Sequence, residues 1–222
     1  MSIRRGIETA VLSVAAVLLA AGGLAACETS IGIKGGVDWT KASFSSDVPG
    51  FRAEGSAREG FEGGLAFDGQ CADHFGVSLE ALYVRRDTKF FFPPSGGLAP
   101  ITAVYKIEWI DFPVTGIVLF GEDGSAVRPF IFAGPVFSTR IGASSENTSE
   151  GVTKEFDANG QVKKTMFSLT AGGGARFRLG RRTWFTLDGR YVYGLTNIAR
   201  GSGDRWKTRD VQVMAGFLFG LF

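Results

Sequence analysis

Val211-Gln-Val-Met-Ala-Gly-Phe-Leu-Phe-Gly-Leu-Phe222 is the stretch that decides how this chain is read. Val211, Val213, Ala215, Phe217, Phe219 and Leu221 occupy every second position, so a strand would project all of them from one face. Gln212, Met214, Gly216, Leu218 and Gly220 form the other face. A strand in water has little reason to expose so long an apolar stripe. A strand that crosses a bilayer requires one, over about 9–11 residues. The expectation is the closing strand of a transmembrane β-barrel. Phe219 and Phe222 compete for the last lipid-facing position, and the Phe219 register keeps the better stripe.

Working outward from that end, seven earlier segments show the same period: 31–39, 59–69, 75–86, 106–120, 129–140, 165–179 and 183–195. Ile33 and Val37 oppose Lys34 and Asp38; Phe61, Leu65 and Phe67 oppose Glu62 and Asp68; Val77, Leu79 and Tyr83 oppose Ser78, Glu80 and Arg86. In 106–120 both faces are apolar, and the favoured phase sends Ile110, Phe112 and Val114 outward with Asp111 and Thr115 inward. Phe130, Phe132, Gly134 and Val136 share a face. Phe167 and Leu169 oppose Ser168, Arg176 and Arg178, and Phe185 and Leu187 oppose Asp188 and Arg190. Pro113 and Pro135 cannot donate to a ladder, which predicts a bulge or a break in pairing there.

The connections alternate in length. Long segments at 40–58, 87–105, 141–164 and 196–210 alternate with short ones at 70–74, 121–128 and 180–182. Outer-membrane barrels have long extracellular loops and short periplasmic turns, and an even strand count returns both termini to one side. In the third loop Asp157-Ala-Asn159-Gly160 predicts a tight hairpin turn and a projecting ribbon. The second loop holds Phe90-Phe91-Phe92-Pro93-Pro94, whose aromatic rings are expected to pack against neighbouring loops.

Composition agrees. Hydrophobic residues are 45% of the 222, a level a barrel reaches because its lumen is polar. The net charge of +2 is scattered and predicts no nucleic-acid partner. With His74 the sole histidine, a histidine-based metal or catalytic centre is not expected. Residues 1–26 read as a signal peptide, with Arg4 and Arg5 before an apolar run at 11–21, and 27–222 as the barrel domain. Leu24-Ala25-Ala26-Cys27 has the form of a lipobox. Three fates compete for Cys27: lipidation, a disulfide with Cys71, or removal with the signal.

Ile33-Lys-Gly-Gly-Val37, Leu79-Glu-Ala-Leu-Tyr83, Phe112-Pro-Val, Arg128-Pro-Phe-Ile-Phe-Ala-Gly-Pro135, Gly172-Gly-Gly174 and Arg190-Tyr-Val-Tyr-Gly-Leu-Thr-Asn197, in this order and spacing, resemble the outer membrane beta-barrel family that includes the PorT-like proteins. The resemblance covers almost all of the mature chain. It implies an all-β, eight-stranded antiparallel up-and-down transmembrane barrel in the bacterial outer membrane, with no catalytic residues.

An eight-stranded barrel is only wide enough for side chains to fill it. Lys34, Glu62, Glu80, Asp111, Arg176, Asp188 and Arg190 are therefore expected to pair in a polar lumen network, with Glu62 and Glu80 against Arg176 or Arg190 at its centre. Gly172-Gly-Gly174 lacks the lysine and serine of a phosphate loop and lies in a strand. No catalytic, cofactor or metal residues are expected. The function expected is a structural or interaction barrel. Its partners would be outer-membrane lipid, barrel assembly machinery acting through the C-terminal strand, and an extracellular contact. A narrow channel and a soluble ligand-binding barrel are the alternatives. The membrane reading predicts that the folded chain fractionates with membranes and that boiling shifts its mobility on a detergent gel. A soluble protein with no folded-form shift would remove it.

Overall fold

The computed structural model describes residues 28–45, 52–92, 100–201 and 203–221. The expected signal peptide, Cys27 and Phe222 lie outside the described residues.

Among the described residues all regular structure is strand: β1 (Glu28–Ser45), β2 (Arg52–Glu54), β3 (Ser56–Ala72), β4 (Phe75–Phe92), β5 (Ile101–Leu119), β6 (Val127–Ser149), β7 (Val152–Asp157), β8 (Thr165–Arg178), β9 (Thr183–Gly194) and β10 (Arg205–Gly220). Eight of these ten form an antiparallel ring in chain order, β1-β3-β4-β5-β6-β8-β9-β10, and β10 pairs back onto β1. The closing ladder runs from Ser30↔Gly220 to Ser45↔Arg205. β2 pairs only the end of β1, and β7 only the upper part of β6. The turns at Asp73–His74, 120–126 and 179–182 gather at one end with Glu28 and Leu221, here the terminal end; the long connections gather at the other, the loop end.

The strand period sorts the side chains as the sequence implies. On β10 the even positions from Trp206 to Leu218 are buried, and Val211, Val213, Phe217, Phe219 and Leu221 are exposed. The Phe219 register holds. Ile33, Phe61, Leu65, Val77, Ile131, Phe167, Leu169 and Leu187 extend the outer apolar surface around the ring. Two arcs of outward rings flank it. Phe177, Phe185 and Phe217 lie side by side across β8, β9 and β10 toward the terminal end, with centroids 6.0 and 5.5 Å apart. Phe112, Phe137 and Phe167 do so across β5, β6 and β8 nearer the loop end, at 6.5 and 5.1 Å. An apolar band between aromatic girdles is the outer surface a bilayer selects.

Three local expectations are corrected or sharpened. The strands overrun the sequence-based ranges at the loop end, β6 reaching 23 residues, so the wall stands well above a bilayer's thickness. Polar residues such as Ser144 and Ser145 continue the ladder there because neighbouring strands satisfy their backbone. The third-loop ribbon turns at Glu150-Gly151, not at Asn159-Gly160. Glu150 (φ 49°) and Gly151 (φ 80°) supply the two left-handed residues that a two-residue hairpin requires, and Ser149 pairs with Val152. The Asp157 side chain instead accepts from the Asn159 N–H at 2.7 Å and shapes a separate turn. Third, Pro113 breaks pairing without shifting register. Toward β4 the ladder skips from Val114 to Asp111, and toward β6 from Gly116 to Pro113. The register shift between β5 and β6 lies elsewhere, at Glu108/Trp109.

Leu65 faces outward from the middle of β3, between Ile33 and Ala81 on the neighbouring strands. Leu65→Arg is expected to cost about 2–4 kcal/mol in a bilayer, read as a shift in the denaturant midpoint of vesicle-folded protein. No loss would mean that this face does not meet lipid.

Candidate functional site

The interior is a stack of charged layers beneath an apolar cap. Nearest the terminal end, Arg128 on β6 pairs with Asp123 and donates to the Asp73 carbonyl and to Gln70. Next, Arg176 on β8 donates to Asp68 on β3 at 2.8 Å, and Ser78 donates to the same carboxylate. Above them lies the central layer. Arg190 on β9 donates to Glu80 on β4 at 2.6 Å and to Asp188 at 2.7 Å, and Lys34 on β1 bridges the same two acids at 2.8 and 3.1 Å. Higher still, Arg86 on β4 serves three carboxylates: Asp210 at 2.6 Å, Asp111 at 2.7 Å and Asp38 at 3.8 Å. Thr40 donates to Asp38.

The lumen therefore brings together Lys34, Glu80, Asp188 and Arg190 in one cluster, and it pairs Asp111 and Arg176 in others. Glu62 is the correction. It is inward and 4% exposed, but neither of its oxygens has a hydrogen-bond partner, and it pairs with neither Arg176 nor Arg190. Both arginines are committed to closer acids, Arg176 to Asp68 and Arg190 to Glu80 and Asp188. Cys71 lies at the terminal end and is not a free thiol.

Sequence reading overlooked two organising residues. Arg86 was placed inward but not in the network, although its phase sets it among Asp38, Asp111 and Asp210. Asp210 was assigned to a loop. It continues the inward series Gln212, Met214 by one step, and that series runs on through Thr208 to Trp206.

Phe130 and Phe132 turn inward, while Ile131 and Phe137 face out. With Ile117 and Leu119 they form an apolar wall inside the charged layers. The guanidinium of Arg176 lies 5.4 Å from the Phe130 ring centre and that of Arg190 5.1 Å from Phe132. Gly172 is required there, since a Cβ on it would stand 2.6 Å from the Phe132 ring.

The loop end is closed by side chains. Phe90, Ile107, Trp109, Met166 and Trp206 from the wall pack with Ala158 and Val162 of the third loop and Ile198 and Ala199 of the fourth. The two loops are tied together: Lys163 N–H donates to the Ile198 carbonyl, Arg200 N–H to that of Gln161, and Val162 bridges Ala199. Asn197 folds the fourth loop, its oxygen accepting from Ala199 and Trp206 N–H and its amide donating to the Asp204 carbonyl. Phe90, expected in the second loop but carried on β4, stands edge-on to Trp206 at 5.5 Å and belongs to this cap. The interior space beneath, between Lys34, Glu80, Phe132 and Arg190, is about 10 Å³, room for about one water molecule. Among the described residues no group of His, Cys, Asp and Glu side chains is arranged to hold a metal ion.

A closed antiparallel ring, apolar outside between aromatic girdles and charged within, is a transmembrane β-barrel. The sequence match makes the assignment specific: the family model for the outer membrane protein beta-barrel domain covers residues 27–200, and the chain belongs to that family, whose place is the bacterial outer membrane. No curated protein matches the chain. Among solved structures it is similar to Ail, the attachment invasion locus protein of Yersinia pestis (17% identity, 86% of this chain and 99% of that one, TM-score 0.42). It is likewise similar to the outer membrane protein OprG of Pseudomonas aeruginosa (17%, 89% and 98%, 0.49) and to Neisserial surface protein A (16%, 85% and 96%, 0.45). At these scores the assignment rests on the family match.

Two substitutions separate paired from unpaired lumen charge. Arg86→Met strands three acids and is expected to cost about 3–5 kcal/mol. Glu62→Gln removes a buried charge that has no partner and is expected to leave the unfolding midpoint unchanged or raise it. A large loss in the second variant would show that Glu62 is held by an interaction the geometry lacks.

Proposed function

We propose that the protein is a structural or interaction barrel of the outer membrane, with a lumen plugged by its own side chains and the loop end presented outside the cell as a contact surface. In this reading it is not an enzyme and carries no cofactor, and both mature termini are periplasmic. The ordered motifs shared with the PorT-like proteins belong to the same reading. The observation that carries it is the interior. Every arginine and lysine of the charged layers is matched to an acid, Lys34, Arg86, Arg176 and Arg190 across the ring and Arg128 in the turn before its strand, and the apolar cap sits over them. Such a lumen leaves little room for the continuous water path that a channel would require. The outward apolar belt likewise supports lipid rather than water as the surrounding medium.

The long-loop end also offers lipid an anchor. Lys41, Arg205, Lys207 and Arg209 face outward beside one another across the β1–β10 seam, with no ion-pair partner among the described residues. Cations just above an apolar belt suit the phosphates of a lipid headgroup layer. β10 itself, with its regular outward stripe, is the strand offered to assembly machinery. The reading predicts no steady single-channel conductance in a planar bilayer. It also predicts that an epitope tag inserted after Gly151 is accessible on intact cells, whereas one at Gly124 is accessible only after permeabilisation. Steady conductance would replace the plug with the channel alternative, and the reverse tag pattern would invert the topology.

A further inference from the structure

Among the described residues the end opposite the cap is open and basic. A basin of about 400 Å³ lies there, lined by Arg128, Arg176, Arg178, Arg181 and Arg182 against Glu28, Asp68 and Asp123. Five guanidiniums against three carboxylates leave an excess of two positive charges. Two of the acids are already engaged, Asp123 by Arg128 and Asp68 by Arg176. Arg178, Arg181 and Arg182 have no carboxylate partner among the described residues.

The arginines at the floor are buried and fixed. Arg128 is 3% exposed and held by Asp123, Gln70 and the Asp73 carbonyl; Arg176 is 9% exposed and held by Asp68. Each nevertheless keeps its Nε–H buried with no acceptor. Both donors belong to residues that line the basin, and an acceptor brought to them would remove the cost of leaving a charged donor unpaired. At the rim, Arg178 stacks 4.7 Å over the Trp184 ring, and the Gly220 N–H donates to the Arg182 carbonyl at 2.7 Å, which pins the β8–β9 turn to β10. The cationic groups are thus largely placed before anything binds.

We propose that this basin binds a phosphate group. A dissolved phosphate carries close to two negative charges and a lipid phosphodiester one, and both present strong acceptor oxygens, so the charge excess and the arginine donors suit either. The choice of arginine without a single lysine in the lining points the same way, because the planar guanidinium fork fits phosphate oxygens in pairs. Arg128 and Arg176 would meet the group at the floor, and Arg178, Arg181 and Arg182 would close around it at the rim. The basin lies at the mouth of the barrel. Both a dissolved phosphate and the phosphate of a lipid headgroup bending around the rim can reach it.

The test uses the folded full chain, its folding verified by the gel shift, and does not depend on which way the barrel faces or whether it conducts. One arm titrates inorganic phosphate into protein in a zwitterionic detergent by calorimetry. The second folds the protein into phosphatidylcholine vesicles containing phosphatidylglycerol and counts retained lipid by native mass spectrometry. The variant R178A/R181A/R182A alters only rim arginines outside the packed lumen, and K89A/K154A/K164A removes three exposed positive charges at the other end, away from the β1–β10 seam. Saturable phosphate binding, weakened at least about tenfold in the rim variant and unchanged in the control, supports a dissolved ligand. Phosphatidylglycerol retained by the native chain and by the control but lost in the rim variant supports a headgroup. No saturable binding in either arm, or equal weakening in both variants, overturns the proposal.

Discussion

The structure depends on one ladder, the pairing of β10 with β1. Hydrocarbon offers no partner for a backbone N–H or carbonyl, so a sheet in a bilayer survives only without an edge in that layer. Once β10 returns to β1 the circumference is settled at eight strands, and the interior is just wide enough for side chains to meet across it. The charged lumen follows from this. The period of two that gives lipid Val213 and Phe217 sends Gln212 and Asp210 inward, where water is excluded and each charge needs an opposite one nearby.

The ion pairs do more than neutralise. Arg86 joins β4 to β10, Arg190 joins β9 to β4, Lys34 joins β1 to β9, and Arg176 joins β8 to β3. None of these four contacts is between strands adjacent in the chain. A slip of one residue in any ladder would turn its charges into lipid and strand the partners. The lumen network thus specifies register across the ring, while the outer belt specifies only which face is outside. Glu62 stands apart from this system: its position keeps it inward, but no cation is left to receive it.

The architecture was legible because its two signals are local. Alternation is visible in a single strand, and loop length is visible without knowing any contact. Inward residues such as Glu80, Asp188 and Arg190 were legible for the same reason, since phase alone assigns them. Partner choice was not, because it depends on the stagger between distant strands, which no spacing in the chain encodes. This is why Glu62 was matched to arginines that other acids hold, and why Arg86 was left out. The cap escaped for another reason. Val162 and Ile198 sit among polar loop residues with no period, and only the folded loops reveal that they meet Trp206 of the wall. Phe130 and Phe132 show the limit of apolarity as a guide to the lipid face. Their partners are guanidinium faces, so the rings belong inside.

The β6–β7 ribbon has a different status from the rest of the wall. From Val152 to Asp157 every side chain is exposed, and β7 pairs with β6 alone. Nothing in the ring, the charged layers or the belt rests on which residues occupy it. The ribbon is free to drift, changing its sequence or its length while the barrel beneath stays the same. Variation among relatives of this chain should therefore concentrate there, in the part of the molecule that can change at least cost to folding.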